Sequence, residues 1–246
     1  MTGGAPPPQS TRAAILIPFA IVTLIWGSTW LVIRDQLGVV PPSWSVTYRF
    51  IVAGIAMALV ATVKGERWAL DTRGWVFAGA VGLLQFCLNF NFVYRAEHYI
   101  TSGLVAVVFA MLLVPNALLA RLFLGQRMGR QLIAGSAVAM AGIALLFLHE
   151  ARTGPAGAAA TLAGIGFTAI AILSASGANV LQATPTAKRY PMLSTLAVAM
   201  LIGAAIDGAV AWTLTGPPVV EMRAGYWAGI LYLGLFGSAF AFPLYY

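Results

Sequence analysis

The sequence predicts an all-α polytopic membrane protein, arranged as an inverted repeat of five-helix units with about eight membrane-spanning helices present. Three observations predict it. Only 9% of the 246 residues are charged, while 60% are hydrophobic and the mean hydropathy is +0.87. A soluble domain carries about 25% charged residues, so this chain has too few to cover a water-facing surface. The apolar residues fall into runs of about 20, the length that crosses a bilayer as a helix. The order of features in the first runs then recurs further along the chain.

The elements follow in order. Residues 1–13 are polar and rich in Gly and Pro and read as a disordered tail. Eight runs of spanning length come after it: Ala14–Ile33, Trp44–Val63, Gly74–Tyr94, Ser102–Phe123, Gln131–Leu148, Ala159–Leu181, Met192–Leu214 and Tyr226–Tyr246. All are helix-length, which excludes a barrel of roughly 10-residue alternating strands. The first run lacks a small-residue cleavage site and reads as a retained span rather than a secretory signal. The net charge of +7 sits in short loops, where membrane topology explains it better than nucleic-acid binding. With the N-terminus inside, the inner segments hold nine basic residues: Arg12, Lys64, Arg67, Arg73, Arg121, Arg127, Arg130, Lys188 and Arg189. The outer loops hold four: Arg34, Arg95, Arg152 and Arg223. The excess of inner Lys and Arg predicts a cytoplasmic N-terminus. The single cysteine, Cys87, lies within a run and forms no internal disulfide.

Only residues 149–158 have linker composition. They separate a first unit, 14–148, from a second, 159–246. At an offset of about 149–150, Pro42 falls on Pro191 and Gly54 on Gly203. Arg73 falls on Arg223, Phe77 on Trp227, Gly79 on Gly229, Phe90 on Phe240 and Phe92 on Phe242. Five spans are an odd number, so the second unit enters the membrane inverted, as in many secondary transporters. On this register Tyr246 matches about Ala96, and Arg95–Leu148 has no counterpart. The second unit therefore reads as incomplete by about two spans.

Specific residues carry a family resemblance that covers nearly the whole chain after the tail. Trp26-Gly27-Ser28-Thr29 with Trp30-Leu31-Val32-Ile33-Arg34 looks like a first-span motif. Pro42 with Arg49-Phe50 looks like the second-span pattern, and Tyr94-Arg95-Ala96 through Thr101–Val107 like the third-to-fourth junction. Leu118–Arg127 and Ala141–Leu146 look like the fourth-span close and the fifth span. In these residues the sequence resembles the EamA-type carriers of the drug/metabolite transporter superfamily. It departs from them at Gln126, where the family usually has Glu. The resemblance implies a ten-helix fold in two inverted units. It also implies outward movement of metabolites, amino acids or toxic compounds across the bacterial inner membrane.

Polar groups inside spans are the functional candidates, because the bilayer offers them no water. Arg49 lies about 10 Å into the second span, where it either snorkels to the headgroups or anchors a cavity mouth. Gln85 and Asn89 share a face of the third span, and Asn91 follows them. These amides either bond between helices or line a watery cavity. Trp26, Ser28, Thr29 and Trp30 lie deep enough in the first span to wall a cavity, although Trp also anchors at interfaces. Tyr94 and Asn179 complete the polar set. Pro115 removes a backbone hydrogen bond and predicts a kink in the fourth span. Asp207 is a candidate for proton coupling or for pairing with Arg49, unless it is hydrated near an interface. Glu97 and His98, at a span end, read as solvated. Gly225/Gly229 and Gly135/Ala139 have the spacing of close helix packing.

The sequence contains no HExxH, GxSxG or P-loop pattern and no metal-ligand spacing, and its two histidines sit near span ends. The expectation is therefore a non-enzyme without cofactor or metal. The partners expected are a small organic solute and the lipid bilayer, with self-association as a homodimer left open and no nucleic acid. The reading is a secondary transporter, an exporter working by alternating access and coupled to protons through Asp207. The alternatives are a non-transporting remnant of such a carrier and, behind it, an intramembrane enzyme or structural protein.

Overall fold

The computed structural model describes residues 9–153 and 157–246. Most of the proposed tail, and 154–156 of the linker, lie outside them. The remainder of both segments is helical. The first helix already begins at Gln9, the fifth runs on to Thr153, and the sixth begins at Gly157. Helix propagation from an apolar run carries the flanking polar residues with it, so composition underestimates both ends.

Among the described residues, eight helices are long and apolar enough to cross a membrane. They are α1 (Gln9–Gln36), α2 (Pro42–Val63), α3 (Thr72–Glu97), α4 (Ser102–Leu124), α5 (Arg130–Thr153), α6 (Gly157–Gln182), α7 (Met192–Thr215) and α8 (Ala224–Tyr245). Proline sets two of the starts. Pro42 occupies the first turn of α2, and Pro191 is the N-cap of α7, positions where a missing N–H costs nothing. Asp71 caps α3 by accepting from the Gly74 N–H at 2.8 Å, and Gly125 ends α4 in the left-handed conformation at φ 68°.

Helices α2, α3 and α7 form the centre. Their buried apolar side chains include Phe50, Met57, Phe86, Leu196 and Met200. Glycines let the backbones approach. A Cβ on Gly82 of α3 would lie 2.5 Å from the Ala199 carbonyl oxygen of α7, and one on Gly203 would lie 2.7 Å from Phe86 Cβ. The same crossing occurs again where α8 meets α2. A Cβ on Gly234 would lie 2.7 Å from Val52 Cγ1 and 3.1 Å from the Arg49 carbonyl oxygen. Ala199 and Arg49 correspond at the sequence offset, but Gly234 answers to Gly82 only after a shift of two residues. That shift places Phe242, rather than Phe240, opposite Phe90.

Two spans contain a π-helical segment, Gly82–Asn89 in α3 and Leu235–Phe240 in α8, each starting at or just after its crossing glycine. Such segments are rare and re-aim the side chains that follow. A 3₁₀ turn, Ala110–Leu112, ends three residues upstream of Pro115, where the sequence predicts a kink. The Pro115 ring cannot donate to the Met111 carbonyl, and the chain tightens there.

Helix α5 lies at the periphery, with none of its spanning window buried. A Cβ on Gly135 would meet nothing within 4 Å, so the expected Gly135/Ala139 contact is absent. Of the other pair, Gly229 packs close to Val32 and Gln36, whereas Gly225 faces open space. The exposed apolar side chains, Leu24, Leu31, Val63, Val138 and Leu145 among them, lie where lipid tails would meet them.

Candidate functional site: a cavity between α1, α3, α4, α6 and α8

A cavity of about 390 Å3 lies between these helices, with Arg49 of α2 at its back wall. Its size falls in the small-molecule range of roughly 300–1,000 Å3. The aromatic walls are Trp26, Trp30, Phe90, Phe109, Phe242 and Tyr245. Trp26 packs 4.9 Å from Tyr245 and 5.5 Å from Phe242, ring centre to ring centre, and Trp30 lies 5.3 Å from Phe109. The Trp26 indole N–H donates to the Gly237 carbonyl at 3.1 Å, so its polar edge is satisfied by the π-segment of α8 and its face is free for the cavity.

Arg49 is 1% exposed and does not snorkel. Its Nε donates to Ser238 Oγ at 3.1 Å, and Ser238 in turn donates to the Leu233 carbonyl, five residues back, at 2.9 Å. Its guanidinium lies 4.2 Å over the Phe90 ring, a cation–π contact. Nη1 has no partner. Gln85 and Asn89 face the cavity from the π-segment of α3, and Gln85 Oε1 and Asn89 Oδ1 are likewise unpartnered.

Of the residues singled out from sequence, Trp26, Thr29, Trp30, Arg49, Gln85, Asn89 and Asn179 line this cavity. Asn179 closes its end near the α6 C-terminus. It donates to Asn116 Oδ1 at 3.4 Å and to the Tyr245 hydroxyl at 3.1 Å, and accepts from the Tyr246 hydroxyl at 3.3 Å. The other four lie elsewhere. Ser28 turns to α8 and shares a 2.6 Å hydrogen bond with the Tyr232 hydroxyl. Tyr94 is fully buried behind the wall and donates to Gln36 Oε1 at 2.7 Å. Pro115 shapes α4 without reaching the cavity.

Asp207 is fully buried and bonds to Asn91 rather than to Arg49. Asn91 Oδ1 accepts from Ser43 Oγ at 2.7 Å, which Arg95 Nη2 reaches at 3.5 Å. Asp207 Oδ2 has no partner. The reading of Glu97 as solvated is corrected: it is fully buried, and neither carboxylate oxygen has a partner. Its own carbonyl accepts from Arg34 Nη1, so the α3 end is pinned under α1 and carries the side chain inward. His98 is exposed, as expected.

These bonds belong to a network that closes the end of the bundle opposite the Lys64–Arg73 loop. Arg223 pairs there with Asp35 at 2.8 Å, Ser45 bonds the Tyr226 hydroxyl at 2.8 Å, and Tyr48 donates to the Val219 carbonyl at 3.0 Å. At the basic end Tyr190 donates to Asp71 at 2.6 Å. That bond, together with the Gly74 N–H, holds the Asp71 carboxyl below its usual range.

Sequence reasoning missed Phe90, Phe109, Phe242, Tyr245 and Ser238 as members of the site. Phe90 and Phe242 had a signal, since both stood in the repeat register. Ser238 had none, because only the π turn brings it to Arg49.

Comparison with known proteins decides the family. The EamA-like transporter family matches residues 13–148, more than half the chain. Protein PagO of Salmonella typhimurium is 26% identical over 238 residues, spanning 96% of this chain and 76% of that protein. The uncharacterized inner membrane transporter YedA of Escherichia coli K12 is 32% identical over 225 residues, spanning 90% and 70%.

The chain belongs to the EamA-like transporter family.

A further relative, named as a probable terminal-alkyne amino-acid exporter of Streptantibioticus cattleyicolor, is 29% identical over 94% of this chain and 74% of that protein. A solved crystal structure superposes with a TM-score of 0.67 at 24% identity, covering 95% of this chain and 78% of that one, and shares the fold. The chain is therefore a multi-pass inner-membrane protein of the drug/metabolite transporter type, and the family and relatives' names point to transport rather than catalysis.

Proposed function

We propose that this EamA-family protein is a secondary carrier that exports small organic solutes by alternating access, with the cavity as its solute site. The observation that carries the reading is a mid-bundle cavity whose aromatic wall holds three buried polar atoms without partners. Aromatic surface supplies affinity, and the few polar groups fix orientation. An organic solute fits such a wall better than a bare ion. The two equivalent glycine crossings support the division into inverted units, 14–148 and 159–246, that rock against each other. The basic-loop bias orients the N-terminus to the cytoplasm. The network of Arg34, Asp35, Ser43, Tyr94 and Tyr226 then forms the outer gate, and Asn179 with Tyr245 borders the inner one. Asp207, buried in the outer network and holding an unpartnered oxygen, is the proton-coupling group.

Counterflow in proteoliposomes tests this. Vesicles containing the purified protein and loaded with amino acids and other small organic solutes are expected to accumulate the matching labelled solute above protein-free vesicles. A folded, reconstituted protein that moves none of a broad panel overturns the carrier reading and leaves a non-transporting membrane protein.

A further inference from the structure

A second hollow, of about 320 Å3, opens on the outside of the bundle between α2, α8 and the start of α7. Met57, 1% exposed, forms its floor, and the half-exposed Val60, Leu235 and Phe240 form its walls. Along α2, from Ala56 to Lys64, it extends about 12 Å at 1.5 Å per residue. Its lining is apolar except at one end, where Lys64 closes it. The π-segment of α8 stands between this hollow and the solute cavity. Leu235, Ala239 and Phe240 line the hollow, while Ser238 reaches Arg49.

The charges beside Lys64 select the occupant. The α2–α3 and α6–α7 connections and the first turn of α3 carry five bases, Lys64, Arg67, Arg73, Lys188 and Arg189, against two acids, Glu66 and Asp71. Both acids are taken up. Glu66 accepts from the Ser194 N–H at 2.9 Å and caps α7, and Asp71 caps α3 and accepts from Tyr190. None of the five bases forms an ion pair among the described residues. A topology bias requires only the number of bases. It does not require one of them at the mouth of an apolar hollow, with both neighbouring acids turned to backbone and hydroxyl donors. An anion with an apolar tail satisfies both features, and clusters of this size attract anionic headgroups. A zwitterionic headgroup adds an ammonium that the surplus bases repel. We propose that the hollow binds an anionic phospholipid, with its phosphate on Lys64 and part of one acyl chain along Met57, Val60 and Phe240. On the topology given above, the lipid belongs to the cytoplasmic leaflet. It joins α2 to α7 and α8 beside the crossing of Gly234 on Val52. The proposal goes beyond the carrier reading and stands apart from it, because lipid binding requires no flux.

The test uses the full chain in phosphatidylcholine nanodiscs. These contain a trace of phosphatidylglycerol or of phosphatidylcholine with a photoreactive diazirine in one acyl chain, and mass spectrometry locates the label. The phosphatidylglycerol probe is expected to mark Met57, Val60 and Phe240 well above the lipid-exposed Val138 and Leu145 of α5, and the phosphatidylcholine probe to show no such preference. Lys64→Gln, an exposed change that leaves the core intact, is expected to lower phosphatidylglycerol labelling of the hollow about five-fold. That fold-change corresponds to about 1 kcal/mol, the size expected for one basic residue. Labelling by phosphatidylcholine is expected to stay as it was. Val60→Trp fills the hollow with Lys64 in place and is expected to reduce labelling of Met57 and Phe240 by both probes. Equal labelling of the hollow by the two probes in the wild type overturns the proposal, as does a Lys64→Gln chain that labels like the wild type. A hollow shielded from both probes, with chains joined through a cysteine at position 60, assigns it to a second copy and overturns the proposal too.

Discussion

At the residue scale, the membrane turns each unpaired polar atom into a question with an identifiable answer. Arg49 and Ser238 show this. Ser238→Ala leaves the buried Arg49 Nε without an acceptor, and the expected destabilisation is about 1–3 kcal/mol, read as a lower Tm in detergent. Asp207 makes the second prediction. Asp207→Asn keeps the Asn91 contact, with the new amide oxygen accepting from Asn91 Nδ2, and removes the titrating proton. Flux is expected to lose its pH dependence while solute binding is retained, and unchanged pH dependence removes Asp207 from coupling. A third prediction concerns Asp71, which lies outside the membrane. Its carboxyl is held low by Tyr190 and the Gly74 N–H. A depressed carboxyl contributes stability that is fully present above its unfolded range and lost as pH falls through the lower folded value. Amide exchange at the start of α3 is therefore expected to stay slow through about pH 4 and to rise only in stronger acid, whereas Asp71→Asn responds to neither.

At the element scale, the spans are held by backbone approach as much as by side-chain burial. Lipid tails are as apolar as Leu, so helices gain little from hiding Leu and more from packing closely at small residues. Gly82 has no room for a Cβ against the Ala199 carbonyl. Gly82→Val is expected to cost about 1–3 kcal/mol or more and to broaden size-exclusion profiles, while Gly135→Val, on the open face of α5, is expected to be silent. The π-segments beside the crossing glycines were not legible in the sequence. Gly82–Asn89 reads as ordinary apolar helix, and nothing in its composition marks an extra residue per turn. The turn type emerges from packing against α7, and it decides which way Gln85 and Asn89 point. By contrast, an irregular turn near Pro115 was legible, because a missing N–H is a local property.

At the scale of the whole molecule, one end of the bundle is tied by many weak polar contacts around the buried Asp207 and Glu97. The Arg223–Asp35 pair among them is half exposed, 47% and 55%, and such pairs contribute little net stability. Ties of this kind suit a gate that must open. Cysteines placed at positions 35 and 223 and joined by a short reducible bis-thiol linker are expected to stop flux while leaving binding at the cavity, with reductant restoring it. Undiminished flux in the linked protein would place the moving boundary elsewhere.

The sequence by itself determined the membrane setting, the eight spans, their approximate bounds and most of the polar residues on the cavity wall. Each follows from local quantities: hydropathy over a span, a polar group within it, a proline at a helix start. Only the tertiary structure decided which of those residues meet. It sent Ser28 to Tyr232, Tyr94 to Gln36 and Asp207 to Asn91, left Arg49, Gln85 and Asn89 facing one space, and buried Glu97. The reason is rotational. A shift of one residue turns a helical side chain by about 100°, so the π turns and glycine crossings, set by contacts between distant spans, fix the direction in which each polar group points.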